Sequence, residues 1–310
     1  MKRNADKALN RHRTQLKAGD IFFSIINYTF FGLFTLLCIF PFYYLFINTV
    51  SDNKLVAAGK INFLPQGIHI NNYISIVKLN DLMTSLGTTV ARTVIGTVLM
   101  VFGSALCGYV FTKNEMWHRK FWFRLVIITM YLNAGLIPWY LNMSMLGLTN
   151  NFLAYILPSI VVPYNLILVK TYIESIPAAL EESAQLDGAN YWHRFSLVVL
   201  PLCKPILATI AIFGAVGHWN SFQDSLILMQ SKPELFTLQH RLYIYLTQAS
   251  NLASVMQSGG TLSQTEINSL MNMKVVKYTV AIITIIPIMV FYPFMQKYFE
   301  KGIMLGAVKG

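Results

Sequence analysis

Long uncharged stretches of this chain alternate with short charged ones, and the apolar runs are too continuous for the one-sided pattern of a helix facing water. A hydrocarbon layer about 30 Å thick takes roughly 20 apolar residues as a helix, so the distances between charged side chains predict where the chain crosses a membrane. Ile21 to Ser51 is uncharged for 31 residues, too long and too poor in small cleavage-site residues for a secretory signal, and predicts a retained first span. Between Asp81 and Lys113 the only charge is Arg92, leaving Thr93 to Thr112, 20 residues, as the clean part of a second span. The 45 uncharged residues between Arg124 and Lys170 predict two spans joined at Gly147-Leu148-Thr149-Asn150-Asn151, a run of turn-forming residues. Pro205 to Gln223 and Tyr278 to Gln296, 19 residues each, complete six. No strand-like alternation competes, so the expected fold is all-α, a polytopic membrane protein with six transmembrane helices.

Composition agrees. Of 310 residues 55% are hydrophobic and only 12% charged, with a mean hydropathy of +0.51, whereas soluble domains carry roughly 25% charged residues. A soluble fold and a disordered chain are both excluded. The net charge of +11 is that of a membrane protein with basic loops, and nucleic-acid binding is not expected.

The placement of lysine and arginine predicts orientation. The segment through Ala18 holds six, the 2-3 loop four (Lys113, Arg119, Lys120, Arg124), the 4-5 loop three (Lys170, Arg194, Lys204) and the C-terminal segment three, 16 on one side. Seven lie opposite: Lys54, Lys60, Lys78, Lys232, Arg241, Lys274 and Lys277. Both termini are therefore expected in the cytoplasm. The predicted organisation is a basic tail over 1–20, a transmembrane domain over 21–300 with a cytoplasmic 4-5 loop at 170–204 and an extracytoplasmic 5-6 loop at 230–277, and a cytoplasmic tail over 301–310. The 5-6 loop is polar, with Gly259-Gly260 as a flexible tip.

Several chemistries are missing. No carboxylate or histidine is expected centrally in the membrane, which disfavours an ion-coupled secondary transporter or a membrane-embedded enzyme. The six histidines show no metal-binding spacing, Cys38, Cys107 and Cys203 read as small hydrophobes, and no catalytic residue, metal site or cofactor is predicted. There is no GxxxxGK[ST] phosphate loop, so nucleotide-driven work must come from a partner. Arg92 reads as a snorkelling side chain near the outer end of span two, with a substrate or partner contact as the other reading.

The 4-5 loop carries the most specific pattern. Pro177 at a first helical position, a run of helix formers through Glu181, Glu182, Ser183, Ala184 and Asp187, and Gly188 as a left-handed stop predict a short helix ending sharply. Asn190 can cap a second helix whose aromatic face, Tyr191, Trp192 and Phe195, suits a membrane interface, and Pro201 leads into span five.

Glu182-Ser183-Ala184, then Asp187-Gly188-Ala189, then Leu200-Pro201 resembles the EAA motif of binding-protein-dependent ABC importer permeases, the MetI-like family, with Ser183 where the family usually has alanine. The resemblance extends over most of the chain, including Trp219-Asn220 near the end of span five. The ending from Tyr292-Pro293 to Lys309-Gly310 looks like the sugar-importer branch of LplC-like and alginate-type oligosaccharide permeases.

That resemblance implies a permease that pairs with a second permease subunit, two cytosolic ATPase subunits holding ATP and Mg, and an extracytoplasmic solute-binding protein, in the bacterial cytoplasmic membrane. It implies that Glu181, Glu182, Ser183, Ala184, Asp187, Gly188, Ala189 and Pro201 couple to the ATPase. It further implies an oligosaccharide substrate, with an anionic one in view. Trp139, Tyr140, Trp219 and Asn220 are candidate pathway groups, because sugars pair with aromatic faces and amides. Ser258, Gly259 and Gly260 are candidate contacts for the binding protein.

Overall fold

The computed structural model describes residues 18–78, 80–257 and 274–293. The basic N-terminal segment, the C-terminal tail and the loop candidates Ser258, Gly259 and Gly260 lie outside the described residues.

Helix α1, Ala18–Val50, is 33 residues long, about 50 Å at 1.5 Å per residue. Most of its large apolar side chains are exposed, Phe22, Phe23 and Tyr28 at 68–77%, a surface that water would not tolerate and lipid does. Only its last turn is buried. There Asn72 donates to the Thr49 carbonyl at 2.9 Å, and the Thr49 and Tyr73 hydroxyls lie 2.7 Å apart. Asp52 caps the short α2, Asn53–Ala57, and α3 follows at Asn71–Val77.

Helix α4, Asn80–Val110, runs 31 residues and starts well before the clean second span expected from Thr93. Reading Arg92 as a boundary fails because its charge is neutralised inside the protein. Small residues let neighbours approach α4 closely, as membrane helices require. A β-carbon on Gly103 would sit 2.6 Å from the Ile160 carbonyl oxygen, and one on Gly214, across the α4–α10 contact, would collide with the Met100 methyl.

The expected third span is split into α5, Arg119–Tyr131, and α6, Leu136–Met145, each too short to cross alone. The break runs through Gly135 at φ 87°. The turn after α6 uses the residues expected, with Gly147 at φ 67° and Asn150 at φ 53°. The expected fourth span begins as two 3₁₀ pieces, Phe152–Tyr155 and Leu157–Ser159, and bends by 42° into α7, Pro163–Glu174. Pro158 and Pro163 prevent a continuous helix here. Irregular backbone at membrane depth survives only where protein or a cavity surrounds it, and Tyr155 and Ile156 are buried here.

After α7 come α8, Ala179–Leu186, and α9, Tyr191–Leu202, which bends by 80° into α10, Lys204–Asn220. Helix α11 is Gln223–Leu228. The polar segment expected as the 5-6 loop contains a 20-residue helix, α12, Leu238–Gln257, whose first turn is buried at Leu238 and His240. Helix α13 is Lys274–Pro293. Helices α1, α4 and α13 are unbroken and apolar enough to span, and the two bent pairs bring the candidates to five among the described residues.

Candidate functional site

Two features stand out: the α8–α9 projection and a cavity walled by α4 and α10. Helix α8 starts slightly later than the proline predicted, with Ala178 as its N-cap and Pro177 outside it. Its end is as expected. Gly188 has φ 81°, its amide donates to the Gln185 carbonyl, and the Ala189 amide donates to the Ala184 carbonyl, both at 3.0 Å. These two bonds close a Schellman motif. A β-carbon on Gly188 would meet nothing within 4 Å, so the glycine answers to backbone conformation and not to space. Asn190 caps α9, its side-chain oxygen accepting from the His193 amide at 2.9 Å.

Within α9, residues Arg194–Val199 form a π-helical turn. Tyr191 and Trp192 are exposed, but Phe195, expected on the same interfacial face, is 1% exposed with its ring 5.2 Å from that of Tyr109. It packs in the core with Tyr109, Val199 and Cys203. On α8, Glu182, Ser183 and Asp187 are exposed, Ala184 is half-buried, and Leu186 is 88% exposed at the tip. Ala189 is half-buried and Pro201 exposed.

Glu181 points the other way. Its carboxylate is ion-paired with Lys113, accepts from the Tyr109 hydroxyl at 2.8 Å, and lies 3.7 Å from Arg194, which itself donates to Gln185 at 2.8 Å. Partial burial pushes the Glu181 carboxyl up, but the hydrogen bonds from Lys113 and Tyr109 and the charges of Lys113 and Arg194 outweigh it and hold it below the usual carboxylate range. Spacing could not reveal this partnership, because Lys113 and Tyr109 lie about 70 residues upstream.

The cavity, about 550 Å³, is lined by Trp139, Tyr155, Tyr164 and Phe213, by Ser159, Asn165 and His218, and by Arg92 and Asp224. Of the four pathway residues expected, only Trp139 lines it. Tyr140 does not. Trp219 is turned away toward an apolar groove between α4, α10 and α13, its indole donating to the Thr284 carbonyl at 3.0 Å. Asn220 accepts from Gln239 at 3.1 Å.

Arg92 does not snorkel. It is 3% exposed and bidentate to Asp224, with one bond at 3.1 Å, donates to the Ser221 carbonyl at 3.1 Å, and lies 4.6 Å from the Tyr155 ring centroid. Asp224 also accepts from the Ser221 hydroxyl at 3.2 Å and the Ser225 amide at 2.9 Å. The expectation that no carboxylate or histidine sits inside is corrected here. His218 is buried on α10, and Asp224, a boundary by sequence, folds back onto α4. Beyond Asp224, the Ser225 hydroxyl lies 2.9 Å from His240 Nδ1, and the Leu238 amide donates to Thr89 at 2.8 Å. These bonds pin the start of α12 to α4. Among the described residues no cluster of three or more histidine, cysteine or carboxylate side chains could hold a metal ion.

Apolar spanning helices, broken helices beside a cavity, and a short helix projecting from the bundle define a helical membrane transport domain. Residues 104–305 match the family described as binding-protein-dependent transport system inner membrane component, and this chain belongs to that family. It is 33% identical, over 93% of its length and 98% of the relative's, to the polygalacturonan/rhamnogalacturonan transport system permease protein YtcP of Bacillus subtilis. It is 32% identical to protein LplC of the same organism over 95% of this chain and 97% of that one. Its fold matches a chain in the crystal structure of a bacterial ABC transporter involved in the import of the acidic polysaccharide alginate, with a TM-score of 0.81 and 30% identity over 91% of this chain and 98% of that one. The chain is thus an inner-membrane transport permease and not an enzyme. As an ABC importer permease it works with a partner permease, an ATPase and a solute-binding protein.

Proposed function

We propose that this chain is one of two different permease subunits of an importer for an oligosaccharide containing acidic sugars, driven by two ATPase subunits that hold the ATP and Mg. The observation that carries this reading is the near full-length similarity to permeases named for polygalacturonan and alginate. The cavity is compatible in chemistry. Trp139, Tyr164 and Phe213 offer flat apolar faces to sugar rings, while Ser159, Asn165 and His218 offer hydrogen bonds at their edges.

Helix α8 is the element that meets the ATPase, through Glu182, Ser183, Leu186 and Asp187 on its exposed side, with Ala184, Gly188, Ala189 and Pro201 fixing its shape. Both termini and α8 face the cytoplasm. Ser258, Gly259 and Gly260 reach the binding protein on the opposite side. A cysteine at Glu182 should resist an impermeant thiol reagent in intact cells while one at Gln257 reacts, in a background with Cys38, Cys107 and Cys203 replaced.

The substrate assignment is tested with the cognate solute-binding protein and the reconstituted transporter. Oligogalacturonate or alginate fragments should bind and stimulate ATP hydrolysis. Binding and stimulation by neutral oligosaccharides alone would overturn the acidic assignment.

A further inference from the structure

Glu181 and Glu182 are neighbours in sequence with opposite orientations. Glu182 faces away from the bundle, whereas the Glu181 side chain is 21% exposed and turned to the end of α4. Three segments converge on that one carboxylate: Tyr109 in the last turn of α4 with Lys113 just beyond it, Glu181 of α8, and Arg194 of α9. The Lys113 ammonium also lies 4.1 Å from the Tyr109 ring centroid, and Arg194 ties back to α8 through Gln185. Along the chain α8 is attached only to α7 and α9. The Glu181 cluster adds a direct attachment to α4.

Helix α4 has no proline in its 31 residues, and it carries Arg92 on the cavity wall, about 25 Å from Tyr109 along the helix axis. We infer that Glu181 is a positioning residue and not an ATPase contact: it makes α8 and α4 one rigid body, so that a push on α8 travels along α4 to the Arg92–Asp224 wall of the cavity. The inference rests on reading α8 as the ATPase-facing element. Recruiting Glu181 to an ATPase contact would strand Lys113 and Arg194, whose side chains are only 17% and 8% exposed, without their counter-charge. Glu182 carries no such obligation.

The test uses the complete transporter in proteoliposomes. Glu181→Gln and Lys113→Gln should each leave membrane abundance and copurification of the ATPase unchanged, while uptake per ATP hydrolysed falls about fivefold or more. The double variant should be no worse than either single one, because both changes open the same joint. As a second measurement, cysteines at 113 and 181, with Cys38, Cys107 and Cys203 replaced by Ala, are joined by a short thiol-reactive linker. Joining them should restore uptake relative to the unlinked pair, since the two sites move together, and this arm decides the matter if Glu181→Gln inserts poorly. Three results overturn the inference: wild-type coupling in both Gln variants, loss of ATPase copurification in Glu181→Gln but not Lys113→Gln, or arrest of transport by the linker. Failure of the underlying reading looks different, because Glu182→Lys would then also behave as wild type.

Discussion

The His218 ring occupies the space that a side chain on Gly96 would need: a β-carbon there would sit 2.6 Å from two ring atoms. Helix α4 can therefore approach α10 only because position 96 lacks a side chain, and His218 reaches the cavity wall through the gap. Gly96→Ala should cost about 1–3 kcal/mol through overpacking, read as a lower thermal unfolding midpoint in detergent. Adding His218→Ala should recover most of the loss. A Gly96→Ala protein as stable as wild type would mean that the helices separate freely.

The Arg92–Asp224 pair joins positions 132 residues apart at low exposure. Removing one partner leaves a buried charge, so Arg92→Gln or Asp224→Asn alone should destabilise by about 3–5 kcal/mol and deplete the protein from the membrane. The double neutral variant should be markedly better tolerated. Quantitative immunoblotting of membranes separates these outcomes, and a double variant as depleted as the singles would show that the polar bonds to Ser221 matter more than charge balance.

His240, at the buried start of α12, is pushed down to about 4 by burial and the neighbouring Arg241 charge, against a smaller opposing effect of Asp224. An ordinary solvated histidine titrates at about 6.5. Between these values the undocked segment binds a proton that the docked one does not, so docking of α12 on α4 is full above about pH 6.5 and weakens as pH falls toward 4. Hydrogen exchange at the Leu238 and His240 amides should speed up at pH 5 relative to pH 7, after correction for intrinsic rates, and His240→Asn should flatten that dependence.

Gly188→Asp forces a side chain into a left-handed backbone conformation at about 1 kcal/mol or more and disturbs the stop that sets the angle between α8 and α9. Glu182→Lys reverses an exposed charge without touching the bundle. Both proteins should insert normally yet take up substrate poorly for the ATP they consume. Normal uptake and normal stimulation by loaded binding protein in both would remove α8 from the coupling path.

What the sequence made legible was local. The Gly188 stop, the Asn190 cap and the Gly147 and Asn150 turn follow from the chemistry of a few adjacent residues, and the long apolar runs announced the membrane. What stayed hidden depended on which segment comes alongside. A charge reads as a boundary until its counter-charge is known, which is why Arg92 cut α4 short and Asp224 marked the end of the fifth span. Phe195 read as interfacial because the residues that cover it, Tyr109 among them, are distant in sequence. Glu181 could not be told from Glu182 without knowing where Lys113 lies. Helix α12 was unexpected because its polar side chains are ordinary for a loop, and its anchor is the distant Thr89 hydroxyl.

The 80° bend between α9 and α10 has the geometry of a bell crank. A displacement along the axis of α9 arrives at α10 almost wholly crosswise. Helix α10 then swings sideways without sliding along its length. Sliding would draw Lys204 at one end into hydrocarbon, while a swing leaves that end at the depth where its charge is hydrated. The bend thus lets the α10 side of the cavity wall move while Lys204 keeps its depth in the bilayer.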